Sequence, residues 1–228
     1  MFVVVFGWGG WRHYDFRQAV KEAEERGWEF TYNDPVVMIR ADWRAAFRKG
    51  TWNGTRRDLF IRTGAVSERD FDMVRRLKPK QLLSYPRFPW RDLSQIEGLS
   101  NLTGLGLGDC PTLTDIDALK DMKKLTGLGI VGSPVLANID ALKELKGLTS
   151  LGLERCPALT NVDALRELKA LKFLMVSECT GLENVDGLHG LTGLERLDLR
   201  GCTELTREAV DAVKAALPKT EVFSNFDK

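Results

Sequence analysis

The sequence predicts an α/β solenoid: a parallel sheet along a concave side, short helical or 3₁₀ turns along a convex side, and a small α/β cap at the N-terminal end. Three observations carry this. A leucine pattern starts at Leu102 and returns at Leu125, Leu148, Leu171 and Leu194 in one register, and periods of roughly 20–50 residues mark repeat architectures. Within each unit the strand-forming half alternates, so its leucines share one face by the period of two. The aromatic residues are segregated, with only Phe173, Phe223 and Phe226 beyond residue 102.

In chain order, the first 55 residues read as the cap. Residues 2–6 are strongly β-prone. Phe16, Ala19, Val20 and Ala23 then follow at helical spacing and end at Gly27. Residues 28–32 and 36–39 read as short strands around the turn signal Asn33-Asp34-Pro35, and residues 41–49 as a second short helix stopped by Gly50. Trp8, Trp11, Trp28, Trp43 and Trp52 all lie here and supply large anchors for a small core.

Residues 56–228 read as the solenoid, with about seven repeats and a C-terminal helix and strand cap. A worn unit at 56–78 takes its strand from Leu59-Phe60-Ile61-Arg62-Thr63-Gly64, and a second at 79–101 keeps Leu82, Leu93, Ile96 and Leu99 on the template. Five full units follow, of which Leu102-Thr-Gly-Leu105-Gly-Leu107-Gly-Asp-Cys110 is the first. Behind each strand the apolar positions also repeat, as in Leu113/Leu136/Leu159/Leu182/Leu205 and Ile116/Ile139/Val162/Val185. Residues 206–217 read as a true helix capped by Thr206 with Glu208 in its first turn. Residues 220–222 supply a closing half-strand. No unit can bury its leucines alone, so neighbours must stack and the ends need caps.

The pattern L-x-x-L-x-L-x-x-C/N-x-x-L resembles the leucine-rich repeat family over roughly residues 56–223. The 23-residue unit is similar to the short repeats of internalin-like proteins and plant immune receptors. It carries Cys in place of the Asn of internalins at the ladder position, with one extra residue after it. The resemblance implies a curved solenoid with a parallel concave sheet.

Cys110, Cys156, Cys179 and Cys202 occupy one repeat position, with Ser133 in the remaining slot. No paired C-x₂-C or Cys/His spacing suggests zinc. They read as buried small thiols that turn the chain after each strand and cap backbone groups. Gly7-Trp8-Gly9-Gly10 lacks the spacing of a phosphate loop. His13 and His189, the two histidines, have no accompanying nucleophile pattern. Neither a metal nor a cofactor is expected, and no enzyme activity.

A net charge of +1 weighs against nucleic acid as a partner. No apolar run approaches the ~20 residues of a membrane span. The start lacks a signal-peptide pattern, so the cytoplasm is the expected location. The expected function is protein–protein interaction on the concave face. The alternatives are a small enzyme or ligand site in the N-terminal α/β segment, or nucleic-acid binding through its Trp/Arg-rich surface.

On the template, positions 3, 5 and 7 of each strand project into the concavity. The candidate partner-binding residues are Phe60 and Arg62, then Leu83 and Tyr85, then Gly106. They continue with Gly129 and Val131, Glu154, Phe173 and Met175, and end with Arg196, Asp198 and Arg200. Glycines floor the middle of this face, which is unusual because glycine weakens a strand interior by ~0.5–1 kcal/mol against alanine.

Overall fold

The structure, a computed structural model, describes residues 90–227 and five strands ahead of them: β1 (Phe2–Gly7), β2 (Thr31–Asn33), β3 (Val36–Met38), β4 (Arg57–Asp58) and β5 (Gln81–Tyr85). The repeats supply β6 (Gly104–Gly108), β7 (Gly127–Val131), β8 (Ser150–Glu154), β9 (Phe173–Met175) and β10 (Arg196–Asp198), and β11 (Glu221–Phe223) closes the array. From β5 to β11 every neighbouring pair is parallel, in chain order. The register follows the sequence repeat: Leu105 lies beside Leu128, Leu128 beside Leu151, Leu151 beside Leu174 and Leu174 beside Leu197.

The convex path has a different period, and the sequence states it. Cys110, Leu113, Ile116, Leu119, Met122 and Leu125 recur every third residue, and all six are buried. A 3₁₀ helix has 3.0 residues per turn, so residues three apart eclipse one another. The backbone takes that form: the Leu119 N–H donates to the Ile116 carbonyl, Met122 to Leu119 and Leu125 to Met122, each at 2.9 Å. The same series runs through Leu142, Leu145 and Leu148. The 3₁₀ turns are Ser94–Ile96, Asp117–Asp121, Asp140–Glu144, Asp163–Leu165 and Asp186–Leu188. Each is opened by an Asn or Asp two residues earlier that accepts from the backbone, as Asn138 Oδ1 does from Asp140 (2.8 Å) and Asn184 Oδ1 from Asp186 (2.7 Å).

The last unit departs from this. Its convex element is an α-helix, Arg207–Ala216, whose N-cap Thr206 accepts from the Ala209 N–H at 3.1 Å. An α-helix advances 1.5 Å per residue against about 2.0 Å for 3₁₀, so more residues are needed to cross the same width. The rung offset accordingly grows from 23, as in Arg196 beside Phe173, to 25, as in Glu221 beside Arg196. Val210, Val213 and the C-cap Leu217 are buried, and the helix packs against the turn Asp186–Leu188 of the unit before it, as expected for a cap.

At the other end, one expectation is corrected. The neighbour of β5 is not a parallel strand from a repeat at 56–78. It is β1, antiparallel, with β4 on its far side. Residues 2–6 form an unbroken β-branched and aromatic run, which suits a rung neighbour. Residues 59–64 themselves lie outside the described residues, as do the two expected cap helices. β2 and β3 form an antiparallel pair around 34–35.

The leucine register generates a direct expectation. Leu151 is fully buried at the centre of the stack, so Leu151→Ala should lower unfolding free energy by roughly 2–5 kcal/mol through lost transfer energy and the cavity left behind. Chemical denaturation would measure it, and an unchanged midpoint would refute this placement.

Candidate functional site

The concave residues fall into three rows that cross the sheet. The first runs Gly104, Gly127, Ser150, Phe173, Arg196, Glu221, and the second Gly106, Gly129, Gly152, Met175, Asp198, Phe223. The third pairs Gly108 with Val131 and Val131 with Glu154. Alternation fixes this: with Leu128 and Ile130 turned into the core, the residues between them face the opposite side.

The face is not uniform along its length. Gly104, Gly106 and Gly108 are buried, so Gly106, expected among the contact residues, is not an accessible one. At β7 the floor opens, and on β8 Gly152 is buried again. A Cβ built on Gly127 or Gly129 would meet nothing within 4 Å, so the chain's own packing does not demand glycine there. Gly152 lies at the edge of the opening, with Met175 Cε 3.7 Å and Glu154 Oε1 3.6 Å from its would-be Cβ. Beside it Phe173 and Met175 remain 43% and 41% exposed, which makes them two of the three exposed large hydrophobic residues among those described. Lone exposed apolar residues are ordinary, but two on one strand next to an open floor form a patch.

The C-terminal part of the face is charged and already paired. Arg196 donates through Nε (3.0 Å) and Nη2 (2.9 Å) to Glu221 Oε2. Arg200 donates through Nε to both oxygens of Asp198, at 2.9 and 3.1 Å. Its guanidinium holds the Asp198 carboxyl below the usual carboxylate range. Both guanidiniums also stand over the Phe223 ring, 5.4 and 5.5 Å from its centroid. Asp198 is buried. These three candidates therefore form a closed network and offer little unspent charge. Phe60 and Arg62 lie outside the described residues. Leu83 and Tyr85 sit on β5, and their side chains lie outside the described residues.

At the strand exits every full unit takes a left-handed backbone: Asp109, Gly132, Arg155, Glu178 and Gly201 all have positive φ. At Gly201 a side chain is excluded twice over, by φ +78° and by Glu178 Cα, 2.9 Å from where its Cβ would sit. Arg155 reaches back across Gly132 to Asp109 at 3.8 Å.

Cys179 and Cys202 cap backbone groups as expected. Cys179 Sγ donates to the Leu153 carbonyl and Cys202 Sγ to the Val176 carbonyl, each at 3.0 Å, tying one rung's turn to the strand before it. All four are free and buried. Burial pushes the Cys110 thiol up to about 12 and that of Cys202 up to about 11. Cys179 is raised by its bond with Cys156 and by burial. Ser133 fills the remaining slot fully buried, and its hydroxyl has no partner among the described residues.

No family model and no curated protein matches the chain. Solved structures do. The internalin InlF of Listeria monocytogenes aligns with a TM-score of 0.53 at 18% identity over 78% of this chain and 53% of that one. The functional domain of InlJ from the same organism, described as including a cysteine ladder, gives 0.49 at 22% identity over 67% of this chain and 31% of that one. The leucine-rich repeat domain of the type III effector XopL gives 0.46 at 30% identity over 56% and 43%. The chain spans about half the length of InlF. It is a leucine-rich repeat protein in fold, resembling internalins, with cysteine ladder residues at the 23-residue spacing of its repeats.

Two expectations follow. Gly129→Val should raise stability by roughly 0.5–1 kcal/mol, because a β-branched side chain fits open space on a strand that glycine weakens; a fall in the denaturation midpoint would show the floor is packed. The thiols should resist a disulfide-exchange reagent in the folded protein and react once denatured. Because folding raises the Cys110 and Cys202 thiols above the ordinary 9.0, their protonated forms favour the folded state. That contribution is complete below pH 9 and should fade as pH climbs toward 11–12, which denaturation midpoints across that window would register.

Proposed function

We propose that the chain is a protein-interaction module that binds a partner protein or peptide on the concave face of its solenoid. Leucine-rich repeat domains are generally non-catalytic, and the fold supplies a long curved sheet surface as its main exposed feature. One observation carries the reading: an open glycine floor at Gly127 and Gly129 that internal packing does not require, bordered by the exposed Phe173 and Met175. A floor without side chains lets another chain approach the sheet closely, and apolar walls beside it provide the desolvated anchors on which affinity depends.

The antiparallel pairing of β1 with β5 supports the view of residues 1–55 as a cap at the first rung. The four reduced thiols suit a cytoplasmic setting.

The double variant Gly129→Trp/Met175→Glu fills the floor and charges its wall while leaving the leucine face untouched. It should keep the native denaturation profile and lose partner binding by at least about tenfold, the loss typical of a central interface residue. A folded double variant that binds with unchanged affinity would remove the concave face from consideration. Binding that collapses with added salt would point instead to a nucleic acid.

A further inference from the structure

We propose that the partner presents a basic side chain, lysine or arginine, with an apolar residue two positions away in an extended segment, and that Glu154 receives the cation. This rests on the concave-face reading above and specifies the chemistry of what fits it.

Charge on the face is almost entirely spent. Arg196 is taken by Glu221 and Arg200 by Asp198, through two hydrogen bonds or more each. Arg155, next in sequence to Glu154, turns away to Asp109. The carboxylate of Glu154 is the exception: among the described residues it makes no hydrogen bond and no ion pair. Its Oε1 lies 3.6 Å from the would-be Cβ of Gly152, beside the Met175 methyl at 3.7 Å from the same point, and the residue is half-buried. An unpaired carboxylate laid on an apolar floor loses hydration without gaining a cation, and a ligand that brings one relieves this.

The surroundings narrow the cation further. The apolar surface of Gly129 and Met175 suits the methylene stem of a lysine or arginine, which lies along apolar surface while its head reaches a carboxylate. Met175 and Phe173 are two residues apart on β9 and both exposed. Side chains on one face of an extended segment are also two residues apart, about 6.6 Å. A segment running along the strands therefore sets its basic residue at Glu154 and Met175 and its apolar residue against Phe173. An acidic segment would meet Glu154 unfavourably and find both arginines already engaged.

The test is to pan a library of random linear peptides against the full chain and measure the enriched sequences by fluorescence anisotropy. The expected peptides carry Lys or Arg with an apolar residue two positions away. Their affinity should fall about five- to tenfold on Glu154→Gln, a loss scaled to a partly desolvated ion pair, with a weaker salt dependence. Glu144→Gln, on the convex side, should leave affinity unchanged, and denaturation midpoints would confirm that each variant folds. Peptides that lack a cation, or that bind Glu154→Gln as tightly as the native chain, yet are lost on Gly129→Trp, would overturn this proposal and leave the concave reading intact. Peptides indifferent to Gly129→Trp, or no enrichment at all, would overturn both.

Discussion

Every part of this molecule depends on one constraint: a single repeat has too little apolar surface to stand alone, so each must be closed by the next. Leu105, Leu128, Leu151, Leu174 and Leu197 are almost wholly hidden because each has a copy of itself on the neighbouring strand. The return path meets the same demand with a different geometry. Its buried residues come every third position, and only a 3₁₀ backbone turns a spacing of three into one continuous inward face. A helical period of 3.6 would rotate half of them out to solvent. The short turns are therefore a consequence of where the leucines fall.

Much of this was legible in the sequence. The 23-residue register showed which strand leucines face inward, and the common position of the cysteines showed that they belong to the turns. What escaped has a physical reason in each case. The Asx turns at Asp92, Asp115, Asn138, Asn161 and Asn184 had a periodic signal, but it lay in polar positions that the leucine pattern passes over. The pairing of Arg196 with Glu221 crosses the last unit, where an α-helix stretches the offset to 25 residues, so counting by 23 misses it. The burial of Gly104, Gly106 and Gly108 depends on what lies above the sheet, and a repeat unit carries no information about that. The strand beside β5 comes from the start of the chain, a long-range pairing that no local periodicity encodes.

The two faces of the sheet answer to different requirements. Toward the core, each position is filled by leucine, isoleucine or valine and tolerates little change. Toward the concavity, neighbouring rungs carry glycine, serine, phenylalanine and arginine at equivalent positions along one row. The scaffold therefore leaves this surface free to vary while its backbone stays fixed. Along it, composition shifts from bare backbone at β7, through an apolar step at β9, to the interlocked charges around Phe223. A ligand lying across the rows meets a graded surface, with chemistry that differs at each end.

The sameness of the rungs also bears on how the chain finds its structure. A strand that docks one whole unit out of place still sets leucine beside leucine, so the core alone does little to reject slippage by 23 residues. Discrimination must come from the ends. The helix Arg207–Ala216 has no equivalent among the described units, and Val210, Val213 and Leu217 are buried where it packs on the turn Asp186–Leu188. Assembly therefore behaves like a zip with stops at its ends, β1 beside β5 and the helix at the other, in which misaligned intermediates remain cheap until the terminal pieces seat. The same arithmetic makes length adjustable: gain or loss of an entire unit preserves every interior contact downstream, whereas loss of one residue rotates the next strand and turns its leucines toward water.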